Sequence, residues 1–164
     1  MSDPTYAKVQ QLLLDPPPSW AKVYRRYGLS SPTPEQLVWE VLDFTPSMAD
    51  AGPTGECRHI VPEDVQRAAL IGLELSHKRR YASESGIGLA RSVQLSLSPV
   101  VWDRTVKRMA AYFIRHRKDP MGKNFGDTER PSKGYMAWMN WGGYPGWEWA
   151  RGQLATARLP QSEP

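Results

Sequence analysis

The chain has 164 residues, 40% of them hydrophobic, and a formal charge of +4, which suits one domain, or a domain with a small N-terminal subdomain, around an ordinary core. Its single cysteine, Cys57, excludes an internal disulfide and a Cys-rich zinc site. With no basic leader followed by an apolar run and no apolar stretch approaching about eighteen residues, the expectation is a soluble intracellular protein without membrane contact. The charge is unevenly placed: residues 1–56 hold four Lys/Arg against seven Asp/Glu, and residues 57–164 hold seventeen against ten. Residues 78–118 alone carry ten basic residues and two acidic ones, a density that suits a polyanionic partner.

Asp3 as cap and Pro4 at the first helical position open a helix whose apolar residues Tyr6, Val9, Leu12 and Leu13 share one face. It stops at Pro16-Pro17-Pro18. A second helix, roughly Ser19 to Tyr27, carries Trp20, Val23, Tyr24 and Tyr27 on one side and ends at Gly28. Thr33 and Pro34 begin a third, striped by Leu37, Val38, Val41 and Leu42. A helix-turn-helix reading of 19–43 is rejected, because the would-be recognition helix carries Glu35, Glu40 and Asp43 and no base, and would repel phosphates. Thr45 to Glu56, TPSMADAGPTGE, has no apolar period and reads as a linker. The chain thus divides into an acidic helical subdomain (1–44), a linker (45–61), a basic helical domain (62–155) and a disordered tail (156–164).

Pro62, with Glu63 and Asp64 at the positive end of the dipole, starts a helix carrying Val65, Ala68, Ala69, Gly72 and Leu75. It ends in Lys78-Arg79-Arg80, cations that suit a helix C-terminus and equally suit phosphate. Ser83 to Gly88, SESGIG, is a glycine-rich turn without the Lys-Ser/Thr of a nucleotide-binding loop, and Leu89 to Leu95, including Arg91, forms a short helix. Ser98-Pro99 is expected to open the longest helix, to about Lys118. Its apolar stripe is Trp102, Val106, Met109 and Phe113, and Arg104, Lys107, Arg108, Arg115 and Lys118 gather along another face. Asp119 to Arg130 is a polar loop.

The most specific stretch is Pro131 to Ala150, PSKGYMAWMNWGGYPGWEWA, which holds four of the seven tryptophans. Ser132 caps a helix over Lys133 to Trp141, Gly142 and Gly143 supply a left-handed corner, and Pro145 opens a second helix. Trp138 is expected to point inward, with Gly142 and Gly143 structural, and Tyr144 and Trp147 to present rings to a ligand. No stretch alternates like a strand, so the fold reads as all-α, about seven short helices, closed by this helix-Gly-Gly-helix.

In succession, VPEDVQRAALIGLEL, GIGLARSVQLS, LSPVVWDRTVKRMAAYFIRHRKD and PSKGYMAWMNWGGYPGWEWA resemble a phage-associated α-helical module, found as an extension of XkdF-type prohead proteases and as small stand-alone phage proteins. The resemblance covers about residues 61–151. It implies a phage origin, a helical fold, and a location in the host cytoplasm or the virion. This chain departs from the pattern at Ser85-Gly86, where the family has a double glycine, in having only Arg91 in place of a more basic run, and at Tyr144, where the family has an acid.

Enzyme chemistry finds little footing. His59, His77 and His116 lie in no ligand spacing, and Cys57 with His59 is a lone pair. Glu84, Asp119, Asp127 and Glu129 are loop carboxylates that a magnesium-dependent nuclease would use. Neither a metal nor another cofactor is expected. The leading expectation is a non-enzymatic phage protein that binds nucleic acid, DNA ahead of RNA, through Lys78, Arg79, Arg80, Arg91, Arg104, Lys107, Arg108, Arg115 and Lys118, with Tyr144 and Trp147 stacking on bases. The alternatives are a head-assembly or adaptor protein docking on a phage or host protein, and the nuclease.

Overall fold

A computed structural model describes residues 3–42 and 57–158; residues 45–56 of the expected linker 45–61 and most of the tail lie outside the described residues. Eight α-helices make up most of it: α1 (Pro4–Leu14), α2 (Pro18–Arg26), α3 (Pro34–Leu42), α4 (Glu63–Lys78), α5 (Ile87–Leu97), α6 (Asp103–Arg115), α7 (Lys133–Asn140) and α8 (Gly143–Arg158). The fold is predominantly all-α. Local chemistry explains several starts. The Asp3 carboxylate accepts from the Thr5 N–H at 3.0 Å. Thr33 and Gln36 form a reciprocal capping box, Thr33 Oγ1 accepting from Gln36 N–H and Gln36 Oε1 from Thr33 N–H. Ser132 Oγ accepts from the Tyr135 N–H at 3.0 Å and starts α7.

The region around Pro99 differs from expectation. Ser98 closes α5 instead of opening a helix, and Val100–Trp102 forms a strand, β2, antiparallel to β1 (Arg58–Ile60), with Arg58, His59 and Ile60 opposite Trp102, Val101 and Val100. A Val-Val-Trp run loses side-chain freedom in a helix and packs well on a pleated surface. Helix α6 therefore begins at Asp103, not Pro99, and is shorter than α4 and α8. Lys118 falls beyond it, capping a 3₁₀ turn over Asp119–Met121.

Two apolar clusters form the core. In the first, Val9, Leu13, Trp20, Val23, Leu37 and Val38 of α1–α3 pack with Leu73 of α4 and Leu89, Ala90 and Val93 of α5. The second joins Val65 and Ala69 of α4 and Leu95 of α5 to Val106, Met109 and Phe113 of α6, and to Trp138, Trp141 and Ala150. The N-terminal helices thus share a core with α4 and α5, which run between both clusters, instead of burying one of their own. Helix α5 is buried all round from Leu89 to Ser96. Close approach is possible where α4 crosses α7 because residue 72 is glycine: a Cβ there would lie 2.6 Å from the Asn140 backbone nitrogen.

Side chains of α2 also hold the loop before α5. Ser19 Oγ donates to the Arg80 carbonyl and Trp20 Nε1 to the Tyr81 carbonyl, each at 2.8 Å. Arg26 Nη1 reaches the Glu84 carbonyl at 3.3 Å, and Tyr27 OH donates to the Ser85 carbonyl at 2.8 Å.

Candidate nucleic-acid interface

Helix α6 is sharply two-sided. Thr105, Val106, Met109, Ala110, Tyr112 and Phe113 are buried, whereas Lys107, Arg108 and Arg115 are exposed, with Lys118 exposed just beyond the helix. Helical spacing puts Lys107, Arg108 and Arg115 on one side of α6, and Lys118 follows in the turn beyond it. Two acids stand four residues from members of the row, Asp103 from Lys107 and Asp119 from Arg115, and both are engaged with histidines. Asp103 Oδ1 bonds His59 Nε2, whose Nδ1 lies 2.9 Å from Gln153 Oε1. Asp119 Oδ2 lies 3.2 Å from His116 Nδ1. Among the described residues none of the four cations makes an ion pair. Arg104 is half-buried and already engaged.

Beside this face opens a cleft of about 690 Å³. Arg108, Ala111, Tyr112 and Arg115 of α6 form one wall with its C-cap His116, Ala137 and Asn140 of α7 another with its C-cap Trp141, and Ile87 to Leu89 and Arg91 of α5 line it with Tyr81 to Ser83 and the end of α3. Tyr112 lies between Trp141, parallel at 4.6 Å, and His116 at 4.4 Å. Burial first, and Asp119 second, raise the Tyr81 and Tyr112 hydroxyls above the ordinary tyrosine range, so both are neutral donors.

Arg91 corrects the sequence reading. It was expected among surface phosphate contacts, yet it is 1% exposed, because α5 is enclosed on every side. Its Nη1 donates to Gln94 Oε1, and its guanidinium sits 4.9 Å from the Trp141 ring. Burial, with Arg108 next, lowers its pKa to about 9, still well above neutrality, so the buried group carries a full positive charge.

The remaining expected residues divide. Lys78 ends α4 on the surface, Arg79 faces Glu129 at 3.8 Å, and Arg80 takes a left-handed φ of 60° that turns the chain out of α4. Tyr144 is 49% exposed, with Trp138 and Phe125 meeting its ring edge-on at 5.3 and 6.4 Å. Trp147 is not free in that way: Phe113 stacks on it at 5.9 Å, Trp138 meets it edge-on, and the Arg151 guanidinium lies 5.3 Å from its ring. Because α8 already starts at Gly143, within the glycine corner, Trp147 lies one turn into the helix and packs against the core. Trp138 is wholly buried, and Gly142 and Gly143 have φ of 106° and 65°, as expected of the corner, although α8 starts at Gly143 and not at Pro145.

The four loop carboxylates do not converge. Asp119 holds His116; Asp127 accepts from the Glu129 and Arg130 N–H groups, which lowers its pKa; Glu129 faces Arg79. Among the described residues no three His, Cys, Asp or Glu side chains gather where one ion could be held. Cys57 is exposed and free, and His77 bonds the Asp15 carbonyl. The cleft itself escaped the sequence reading. Its one signal was Arg91 standing in IGLARSVQLSL, a helix without an acid to balance it. Among the described residues no helix is long and apolar enough to cross a membrane. No family model, curated protein or solved structure matches the chain.

Proposed function

We propose that the protein binds nucleic acid, DNA ahead of RNA, through the exposed face of α6 and without chemistry of its own, as a protein of phage origin acting in the host cytoplasm or the virion. The observation that carries the reading is the row Lys107, Arg108, Arg115 and Lys118, which makes no ion pair among the described residues, Asp103 and Asp119 bonding His59 and His116 instead. From Lys107 to Arg115 the row is about 12 Å long at 1.5 Å per residue. A duplex offers one charge per about 1.7 Å of axis, so the row meets several phosphates at once. Tyr144 supplies an exposed ring nearby in sequence to the corner that closes the same core.

Lys107→Gln with Lys118→Gln tests this, because both side chains are exposed and neither lines the cleft. The log-log dependence of DNA affinity on salt should lose up to about two contacts, roughly 0.7–0.9 of slope each, with no change in melting temperature. Unchanged binding by the folded variant would refute it. A second reading, a head-assembly or adaptor protein, is favoured by one observation: Trp39 stands 50% exposed on the acidic helix α3. A stoichiometric protein complex that survives nuclease would establish that reading instead.

A further inference from the structure

Among the described residues, Arg91 is an ion enclosed without a counter-ion. Charged side chains are almost never fully buried unless paired, yet the partners of Arg91 are an amide oxygen and an indole face, and its Nε has none. The charge that acts on it is Arg108, of the same sign. The Tyr112 hydroxyl, 4% exposed as a residue and also part of the cleft lining, is a second buried donor without an acceptor. Two orphan donors on one cleft are what an absent anion leaves behind.

The rest of the cleft suits the same occupant. Arg108 and Arg115 bring its lining to three guanidiniums, against Glu40 as the acid among the described lining residues. Helix α5 starts at the cleft with Ile87, Gly88 and Leu89; Gly86, its N-cap, has no side chain, and Ser85 Oγ takes the Ile87 N–H alone, at 3.3 Å, so the positive end of the helix dipole adds to the field. The volume of about 690 Å³ lies within the range of small-ligand sites, about 300–1,000 Å³, and is far more than a bare anion fills. Ile87, Leu89, Tyr81 and Trp141 give it apolar and aromatic walls.

We propose that this cleft binds a phosphomonoester on an organic body of nucleotide size, with the phosphate accepting from Arg91 and Tyr112. A dianionic head fits better than a carboxylate, because it offers three terminal oxygens to several fixed donors. The same chemistry is found in a free nucleotide and at the phosphorylated end of a nucleic-acid strand. The inference does not rest on the α6 reading, since a free nucleotide needs neither Lys107 nor Lys118, the two members of the row that lie outside the cleft.

Binding of adenosine monophosphate, and of two oligonucleotides differing only in a 5′-phosphate or 5′-hydroxyl, can be measured by calorimetry. Saturable nucleotide binding with no preference between the strands assigns the free nucleotide; at least tenfold tighter binding of the phosphorylated strand assigns the strand end. Arg91→Met should abolish either. Gly88→Leu is the safeguard if that variant fails to fold. A Cβ at Gly88 meets Asn140 and Trp141 at an ordinary 3.8 Å, so leucine fills the cleft and leaves Arg91 untouched, and binding should again fall at least tenfold. Lys107→Gln/Lys118→Gln should leave both signals intact, which separates this site from the α6 face. If the folded protein binds neither the nucleotide nor the phosphate end, or if Gly88→Leu binds as well as the parent, the proposal is wrong.

Discussion

Trp138 lies among Phe113, Phe125, Tyr144 and Trp147, with ring centroids 4.8 to 5.6 Å away. Trp138→Ala should cost about 3–5 kcal/mol in denaturant unfolding, the usual range for emptying an aromatic core site. Trp138→Phe should cost clearly less, because the buried indole N–H has no acceptor to lose. Two glycines give a sharper comparison. Gly28 and Gly86 have nearly the same left-handed φ, 69° and 72°. A Cβ at Gly28 meets nothing within 4 Å, whereas at Gly86 it would sit 2.4 Å from Val23 Cγ1. Gly28→Ala should therefore cost only the left-handed penalty, about 1–2 kcal/mol, and Gly86→Ala should add about 1–3 kcal/mol of overpacking; equal melting temperatures would contradict this. At this scale the sequence told much about residues whose burial follows from size, such as Trp138. It misled on Arg91, because charge argues for the surface and nothing in eleven residues says that a helix is enclosed all round.

At the scale of elements, the strand pair and the start of α6 are held together by one polar cluster. Asp103, the first residue of α6, bonds His59 of β1, which also bonds Gln153 of α8, and the Asp103 N–H donates to the Cys57 carbonyl. The His59 bond leads the effects that hold the Asp103 carboxyl below its ordinary range. A carboxyl whose folded pKa is depressed stabilises above its unfolded value, about 3.9, and loses that contribution as pH falls through the folded value. Asp103→Asn should accordingly cost about 1–3 kcal/mol near neutrality, and the gap to the parent should close below about pH 4; a gap independent of pH would show that the bond is not charge-assisted. Helix starts set by Asp3, Thr33 and Ser132 were legible, because a cap is a local event. The strand pair was not, because Arg58–Ile60 and Val100–Trp102 stabilise each other across forty residues and neither alternates in pattern on its own.

For the whole molecule, the important fact is where the first forty residues go. Charge and the Pro/Gly-rich stretch suggest a separate acidic subdomain, but composition does not reveal that Leu73, Leu89, Ala90 and Val93 bury against α1–α3. A fragment restricted to 57–158 would expose that apolar surface, and it should lose cooperative thermal unfolding and bind a hydrophobic dye; a sharp transition near the parent's would show the second cluster to be self-sufficient. The bonds from α2 to the Arg80–Ser85 carbonyls carry this dependence further. They tie a helix that does not line the cleft to a loop that does. Coupling of this kind is reciprocal: whatever occupant steadies the loop must slow amide exchange in α2, and Tyr27→Phe, which frees the Ser85 carbonyl, must weaken that occupant by the same factor by which the occupant strengthens the bond. A remote helix thereby becomes a gauge of what the cleft holds.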